Sequence, residues 1–464
     1  MKSFILIIIG IMLLSGSTLA QTTTFPVGST TVSVTPLATN LAVPWELIWG
    51  PDNFIWMTER EGRISRVDPT TGQVLPLITV PDVLTSSEGG LLGMVLHPDF
   101  ATSPYLYIVY NYNDGSYKEK LVRYTYSAAG TGSLSNPQVL LGNIPATSTH
   151  AGSRLLILPD RTLLMTTGDA QQRPEAQNTN ALIGKVLRLN LDGTVPADNP
   201  VAGNPMYSFG HRNPQGLVRA ANGKIYSSEH GQDAEDELNL IEPNRNYGWP
   251  TVEGNCNLPD EQAFCTANNV RAPLYSWAPT VGIAGLTYYN HPAIPEWSNT
   301  LLAVALRGGR LTQLPLSTSG DAVGTAASYL AGFGRLRAIC VSPQGKIYVG
   351  TSNRDGRGTP ATTDDRILVL ENRAYVLANK SPRDAAFHLW PNPAQQAVSL
   401  RLPSPTTAPT TATVHDALGR VVRSANFVSG QQDMVVSLTG LGKGVYIVRA
   451  TSGPEQFTRR LVVQ

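Results

Sequence analysis

One phrase recurs six times along this chain, and it restricts the fold more than any other feature. A turn, often Pro-Asp or Asn-Gly, leads into an alternating strand, a variable loop and another strand. The copies begin at Gly50 ("GPDNFIWMTEREGRISRVD"), His97 ("HPDFATSPYLYIVYNY"), Leu158 ("LPDRTLLMTTGD"), Ala220 ("AANGKIYSSEHG"), Trp297 ("WSNTLLAVALRGGRLTQLPL") and Ser342 ("SPQGKIYVGTSNRDGRG"). Period-two alternation bounded by turn residues marks consecutive antiparallel strands. Recurrence at spacings of roughly 45 to 75 residues predicts propeller blades with uneven loop insertions. A two-sheet sandwich explains that spacing less well. The chain is therefore read as all-β, with a six-bladed β-propeller over residues 21–373. The 42 glycines and 34 prolines, spread along the chain, agree with many turns between short strands.

The ends read differently. Residues 1–20, "MKSFILIIIGIMLLSGSTLA", have a lysine, a short apolar run and a small-residue cleavage site, the pattern of a secretory signal peptide. That run is short for a spanning helix, and no later segment is long and apolar enough to span, so the mature chain is read as exported with no membrane span. Residues 374–386 read as a linker, and 387–464, rich in Thr, Val and Ser, read as a small β-sandwich. A formal net charge of +1 argues against nucleic acid as a partner. Of three cysteines, Cys256 and Cys265 lie in a polar, turn-rich segment and are expected to pair in an oxidising compartment, whereas Cys340 sits in an apolar strand.

A propeller gathers its loops at one end of a central channel, so residues far apart in sequence can face one site. His150, Asp169, the run Glu229 to Glu237 and the Asn353-Arg354-Asp355 run fall in such loops. An imidazole held by a carboxylate is a general base with a fixed tautomer, and His150 with Asp169 is a candidate pair; a structural loop histidine is the alternative. Arg212 and Asn213, between glycines, can offer donors to an oxyanion. Arg335 and Arg337 alternate on an expected strand, and Arg307 is a third cation near a blade's inner end. Three converging guanidinium groups would repel one another unless an anion sat among them, which suggests a ligand with several carboxylates or phosphates; a surface ion pair is the alternative for each alone. "SSEHGQDAEDELN" packs five carboxylates into the thirteen residues Ser227 to Asn239. Such a run is usually solvated.

The ordered set "EGGLLGMVLHPDF", "HAGSRL" with "TTGD", "GHRNPQG", "SEHG" with "DELN", "NYGWP" and "GRLRAI" resembles the soluble quinoprotein aldose and glucose dehydrogenases, which use pyrroloquinoline quinone (PQQ). The likeness covers roughly Thr35 to Glu371. It implies a six-bladed propeller with PQQ at the channel mouth, His150 as the base at the sugar's C1 hydroxyl, Asp169 orienting it and Arg212 beside the reacting carbonyls. Asn213, His230 and Asp236 fall on cofactor-site positions, and Arg307, Arg335 and Arg337 on those that grip the PQQ carboxylates. A Ca2+ at the quinone would be held by the carbonyls of Gly231 and Gln232, and a second, structural Ca2+ by Glu237 and Tyr247. Glu229, Asp233 and Glu235 are left as solvated acids. Separately, "WPNPA", "DALGRVV", "LGKGVYIVRA" and "FTRRLVVQ" resemble the C-terminal sorting domain of type IX secretion cargo, implying passage through periplasm and outer membrane to the surface or medium.

The chain departs from the family at four positions. Glu88 stands where a substrate-contacting glutamine is expected, Gln232 where proline is common, and Arg307 where lysine is also found; His230 favours the broader aldose branch. The implied activity is oxidation of an aldose to its lactone, with the electron acceptor unassigned. A calcium-dependent propeller lactonase or other hydrolase, and a non-catalytic carbohydrate-binding propeller, are the alternative readings.

Overall fold

The computed structural model describes residues 22–375, 388–402, 410–416, 419–428, 430–452 and 455–464. The expected signal peptide and nearly all of the expected linker lie outside the described residues. The chain divides into two compact units, one ending at Asn372 and one beginning at Arg373.

The first unit contains six antiparallel sheets in sequence order. Their innermost strands are Pro44–Trp49, Leu91–Leu96, Gly152–Ile157, Pro214–Arg219, Ile283–Tyr289 and Leu336–Val341, each packed against the next around the channel. Each recurrent phrase begins at or near the turn into its blade's second strand, as Gly50 does before Ile55–Glu59. The ring is closed by the N-terminal segment. Thr30–Ala38 pairs antiparallel with Ile367–Glu371, and Thr23–Val27 lies outside it, so the sixth blade is built from both ends of the unit. Between blades the apolar faces interdigitate. Trp56 and Ile64 of the first blade pack with Leu91, Ile108 and Val122 of the second, all nearly or fully buried.

Two details of the inner strands prepare the site. All six have a register shift near their start, for example between Gly152 and Leu155 and between Pro214 and Gly216. Such irregularities turn a strand and re-aim its side chains, and here they ring one mouth of the channel. Deeper in, Arg154 of the third blade donates to Glu46 of the first and to the carbonyl of Gln215 in the fourth, with its guanidinium 4.1 Å from the Trp45 ring. The pair is buried, and burial outweighs Arg154 in pushing the Glu46 carboxyl upward. Removing one partner of such a pair costs about 3–5 kcal/mol, so it ties distant blades across the channel.

The segment around Cys256 contains a helix that its polar composition does not suggest. Pro259–Ala267 starts with proline in its first turn, where the missing N–H costs nothing, and Glu261 accepts the amides of Asn257 and Leu258 at 3.2 and 3.0 Å. Cys265 in this helix is bonded to Cys256, and Cys340 is a buried thiol. In the second unit a three-stranded and a four-stranded sheet share one core, with Val398, Leu400 and Val436 facing Val414, Val448 and Leu461. No helix among the described residues is long and apolar enough to cross a membrane.

Candidate active site

Where inner strands begin and second strands end, the loops surround a cleft of about 450 Å3, within the range of small-molecule and cofactor sites. His150 lies two residues ahead of the third blade's inner strand, and Asp169 two residues beyond its second strand, Thr162–Thr167. These strands pair through Gly152 and Thr167, which brings residues nineteen apart in sequence together. His150 Nδ1 is 2.7 Å from Asp169 Oδ1. The approach is close enough that a β-carbon on Gly168 would strike the His150 carbonyl oxygen. Asp169 is fully buried; burial pushes its carboxyl upward, but bonds from His150, the Gln171 amide (2.8 Å) and the Trp249 indole (2.8 Å) outweigh it and hold the group below the usual range. His150 lines the cleft and Asp169 stands behind it.

Arg212 and Asn213 precede the fourth blade's inner strand. The Arg212 guanidinium lines the cleft, donates to the His230 carbonyl at 3.2 Å and lies 5.3 Å from the Trp249 ring centroid, while its Nε is buried without a partner among the described residues. Burial lowers its affinity for the proton. Asn213 accepts the Gly152 amide at 3.0 Å, joining the fourth blade to the loop that carries His150. His230 is packed in with its Nε2 unpartnered among the described residues, and burial depresses its pKa despite Asp236 and Glu88.

The basic wall is less bare of protein anions than its sequence suggests. Asp355, on the sixth-blade loop, places Oδ2 2.7 Å from Arg335 Nε and 3.7 Å from an Arg337 nitrogen, so one anion between two of the three guanidinium groups belongs to the protein. Arg337 is buried, which lowers its pKa to about 10, and lines a recess of about 30 Å3 rather than the main cleft. Arg335 lines both. Arg307 lines the cleft and, among the described residues, its side chain has no hydrogen-bond or ion-pair partner. Glu88 also has a partner: Oε1 is 2.9 Å from Arg357 Nη1 and Oε2 accepts the His150 amide at 3.3 Å. Burial raises the Glu88 carboxyl, but His230, Arg357 and that amide together bring it below its ordinary value.

The acidic run separates into distinct roles. Glu229 is buried, accepts the Arg212 and Asn213 amides and lies 2.9 Å from His211 Nδ1, so the expectation that it is solvated does not hold. Asp236 accepts the Gly231 amide at 3.0 Å and the Val281 and Ile283 amides at 2.8 and 2.9 Å, linking the fourth blade to the fifth at the edge of the cleft. Gly231 and Gln232 line the cleft in a turn organised by Glu253, whose Oε1 accepts the amides of Gln232, Asp233 (2.8 Å) and Ala234 (3.4 Å). Only glycine fits at 231, since a β-carbon would meet the Glu235 carbonyl. Glu237 and Tyr247 instead share a separate cavity of about 10 Å3 with Glu229 and Glu253, room for one water or ion. Burial, then Glu229, pushes the Glu237 carboxyl up to about 8. The Tyr247 hydroxyl is used within the fold, donating to the Leu240 carbonyl at 2.6 Å. Among the described residues no three His, Cys, Asp or Glu side chains are grouped to hold a metal, so a cation in the cleft would need backbone carbonyls besides any side chain.

Sequence reasoning did not single out Trp249, Glu253 or Arg357. Each reaches its partner across loops or blades; Trp249 lies within "NYGWP" and Arg357 two residues after the Asn353-Arg354-Asp355 run, but neither segment shows what its side chain meets.

The family described as Glucose / Sorbosone dehydrogenase matches residues 41–367, and the Secretion system C-terminal sorting domain matches residues 388–464. Quinoprotein glucose dehydrogenase B of Acinetobacter calcoaceticus is 33% identical over 430 residues, covering 74% of this chain and 89% of its own length. The aldose sugar dehydrogenase YliI of Escherichia coli is 31% identical over 342 residues, covering 70% and 91%. Among solved structures, the PQQ-bound form of the aldose sugar dehydrogenase from Streptomyces coelicolor aligns with a TM-score of 0.64 at 35% identity, over 73% of this chain and 98% of that one.

Proposed function

Since the chain belongs to the glucose/sorbosone dehydrogenase family, we propose that it is an exported PQQ-dependent aldose dehydrogenase that oxidises the C1 hydroxyl of an aldose to the lactone. The observation that carries this reading is the His150–Asp169 contact of 2.7 Å beside a cation-rich cleft. The donor set suits a planar molecule with several carboxylates and carbonyls: among the described residues Arg307 has no side-chain partner, and Arg212 Nε and His230 Nε2 are buried and unsatisfied. Arg307 and Arg335 would grip the carboxylates, with Arg337 supporting from behind, Asn213 and Asp236 fixing the surrounding loops, and Gly231 and Gln232 offering carbonyls to calcium.

Bound PQQ with its calcium supplies a two-electron acceptor for the C1 hydride. The chain's own part is proton handling and charge placement. Asp169 fixes Nδ1 of His150 as a donor, which leaves Nε2 free to take the proton from the C1 hydroxyl. Arg212 stabilises negative charge developing beside it. Glu88 and Arg357 border the sugar's side of the cleft. Glu237 and Tyr247, the latter through its main chain, would take part in a separate structural calcium site.

The sorting domain directs the chain to the type IX secretion machinery, hence through periplasm and outer membrane to the surface or medium. Isothermal titration of the metal-free protein with PQQ tests the cofactor reading. Binding that strengthens with calcium and weakens in Arg307→Ala supports it; no binding in either condition defeats it.

A further inference from the structure

Trp249 does not line the cleft, yet its indole meets the one carboxylate oxygen that His150 does not use. We propose that the Trp249 indole N–H is a positioning group that fixes the orientation and tautomer of the catalytic base. The proposal rests on the dehydrogenase reading for its catalytic consequence, but the contact itself can be tested without cofactor.

Asp169 receives three hydrogen bonds. Oδ1 is shared by His150 Nδ1 (2.7 Å) and the Gln171 amide (2.8 Å), whereas Oδ2 has Trp249 Nε1 (2.8 Å) as its partner. An indole nitrogen and a backbone amide can only donate. A carboxylate facing both is best satisfied when ionised, and the remaining contact then requires Nδ1 of His150 to donate too. Nε2 is left with its lone pair. Without the indole N–H, Oδ2 loses the contact that stops the carboxylate turning about its last bond.

Trp249 is itself held firmly. Its amide donates to the Gly210 carbonyl at 3.0 Å, its carbonyl accepts from Gln177 Nε2 at 2.6 Å, and the guanidinium groups of Arg173 and Arg212 lie 5.4 and 5.3 Å from its ring centroid. It comes from the loop following Asp236–Ile241 in the fourth blade, whereas both members of the acid–base pair belong to the third. Because the ring also faces Arg212, the informative change removes the N–H and keeps the ring.

The test is replacement of Trp249 by 3-benzothienylalanine, which has sulfur in place of the indole N–H, with Trp249→Phe as a second variant. In the cofactor-free protein, labelled-histidine NMR follows His150, assigned by its loss in His150→Gln. The groups around it are Asp169, Glu88 at its amide, and Arg212 and His230 within the cleft. A carboxylate that turns off Nδ1 holds the imidazolium less strongly, so the His150 midpoint moves to lower pH and the Nδ1–H tautomer loses its dominance. In loaded enzyme kcat falls about tenfold, less than the ~10²- to 10⁴-fold that a general base contributes because the imidazole itself remains, with sugar KM and PQQ affinity unchanged. An unchanged midpoint and tautomer overturn the proposal, as does lost PQQ affinity with full kcat at saturation. If neither variant folds, the wild-type Trp249 indole resonance decides: it should titrate with the His150 midpoint, and an independent midpoint refutes the link. Wild-type protein that shows the coupling but no sugar turnover would defeat the dehydrogenase reading alone.

Discussion

Asp169→Asn replaces the carboxylate behind the base with a group of nearly the same shape. The three donors converging on Asp169 come from His150, Gln171 and Trp249. An asparagine has one acceptor oxygen and one NH2, so it cannot accept on both sides. If its oxygen faces the indole, the NH2 faces His150 and the Gln171 amide, and the imidazole meets it only by moving its proton to Nε2. That tautomer cannot take a proton from a sugar hydroxyl at Nε2, as in the Ser-His-Asp case. A general base contributes about 10²- to 10⁴-fold, so kcat should fall by that factor, ~3 to 5 kcal/mol of barrier. Stability changes as well. The folded-state pKa of Asp169 is depressed, so its stabilisation is present above the unfolded value near ~3.9 and lost as pH falls through the folded value. Loss of a charge-assisted bond costs about 1.5–3 kcal/mol, so the variant should unfold more easily at neutral pH and approach wild type in acid. Dye-coupled steady-state kinetics, with thermal unfolding across pH as control, measure both. A kcat within threefold of wild type in a folded, PQQ-binding variant would refute the orientation argument.

Other perturbations separate the roles of neighbouring groups. Arg307→Ala should weaken PQQ binding with no change in melting temperature, because its side chain has no partner to lose among the described residues, whereas Arg337→Ala, which takes a donor from buried Ser352 and one of two guanidinium groups from beside Asp355, should lower the melting temperature; calorimetry with and without PQQ reads both. Glu88→Gln should cost under about 1 kcal/mol of stability, since Arg357 is largely exposed, and should raise kcat/KM for an aldose bearing a carboxylate relative to a neutral one, read from paired substrate kinetics. Burial pushes Glu119 up to about 8, against a bond from Ser153; its contribution is therefore favourable below the unfolded value and lost as pH rises toward 8, so Glu119→Gln should flatten melting temperature against pH over that window. Chelation of calcium should lower the melting temperature, with recovery on adding calcium back, if the cavity beside Glu237 holds the ion.

Much of the architecture was legible because it rests on local patterns repeated many times. Six turn-and-strand phrases specify six blades, and the nineteen-residue interval from His150 to Asp169 spans one strand pair whose open end is the site. Closure by Thr30–Ala38 was not legible, since the segment alternates like any other strand and its partner lies more than three hundred residues away. The same limit applies to side-chain partners. Nothing beside Glu88 predicts Arg357, and nothing beside Arg335 and Arg337 shows that Asp355 stands between them. The acids of the Glu229 to Glu237 run look equivalent as a string, yet in the fold Glu229 is buried beneath the Arg212 loop and Asp233 remains on the surface.

The most direct measurement is reduction of an artificial electron acceptor by the purified metal-free protein with a panel of aldoses, with and without PQQ and calcium. Turnover that requires both, and disappears in His150→Ala with PQQ still bound, is the predicted result. Turnover without PQQ, or tight PQQ binding with no oxidation of any aldose in the panel, would contradict it.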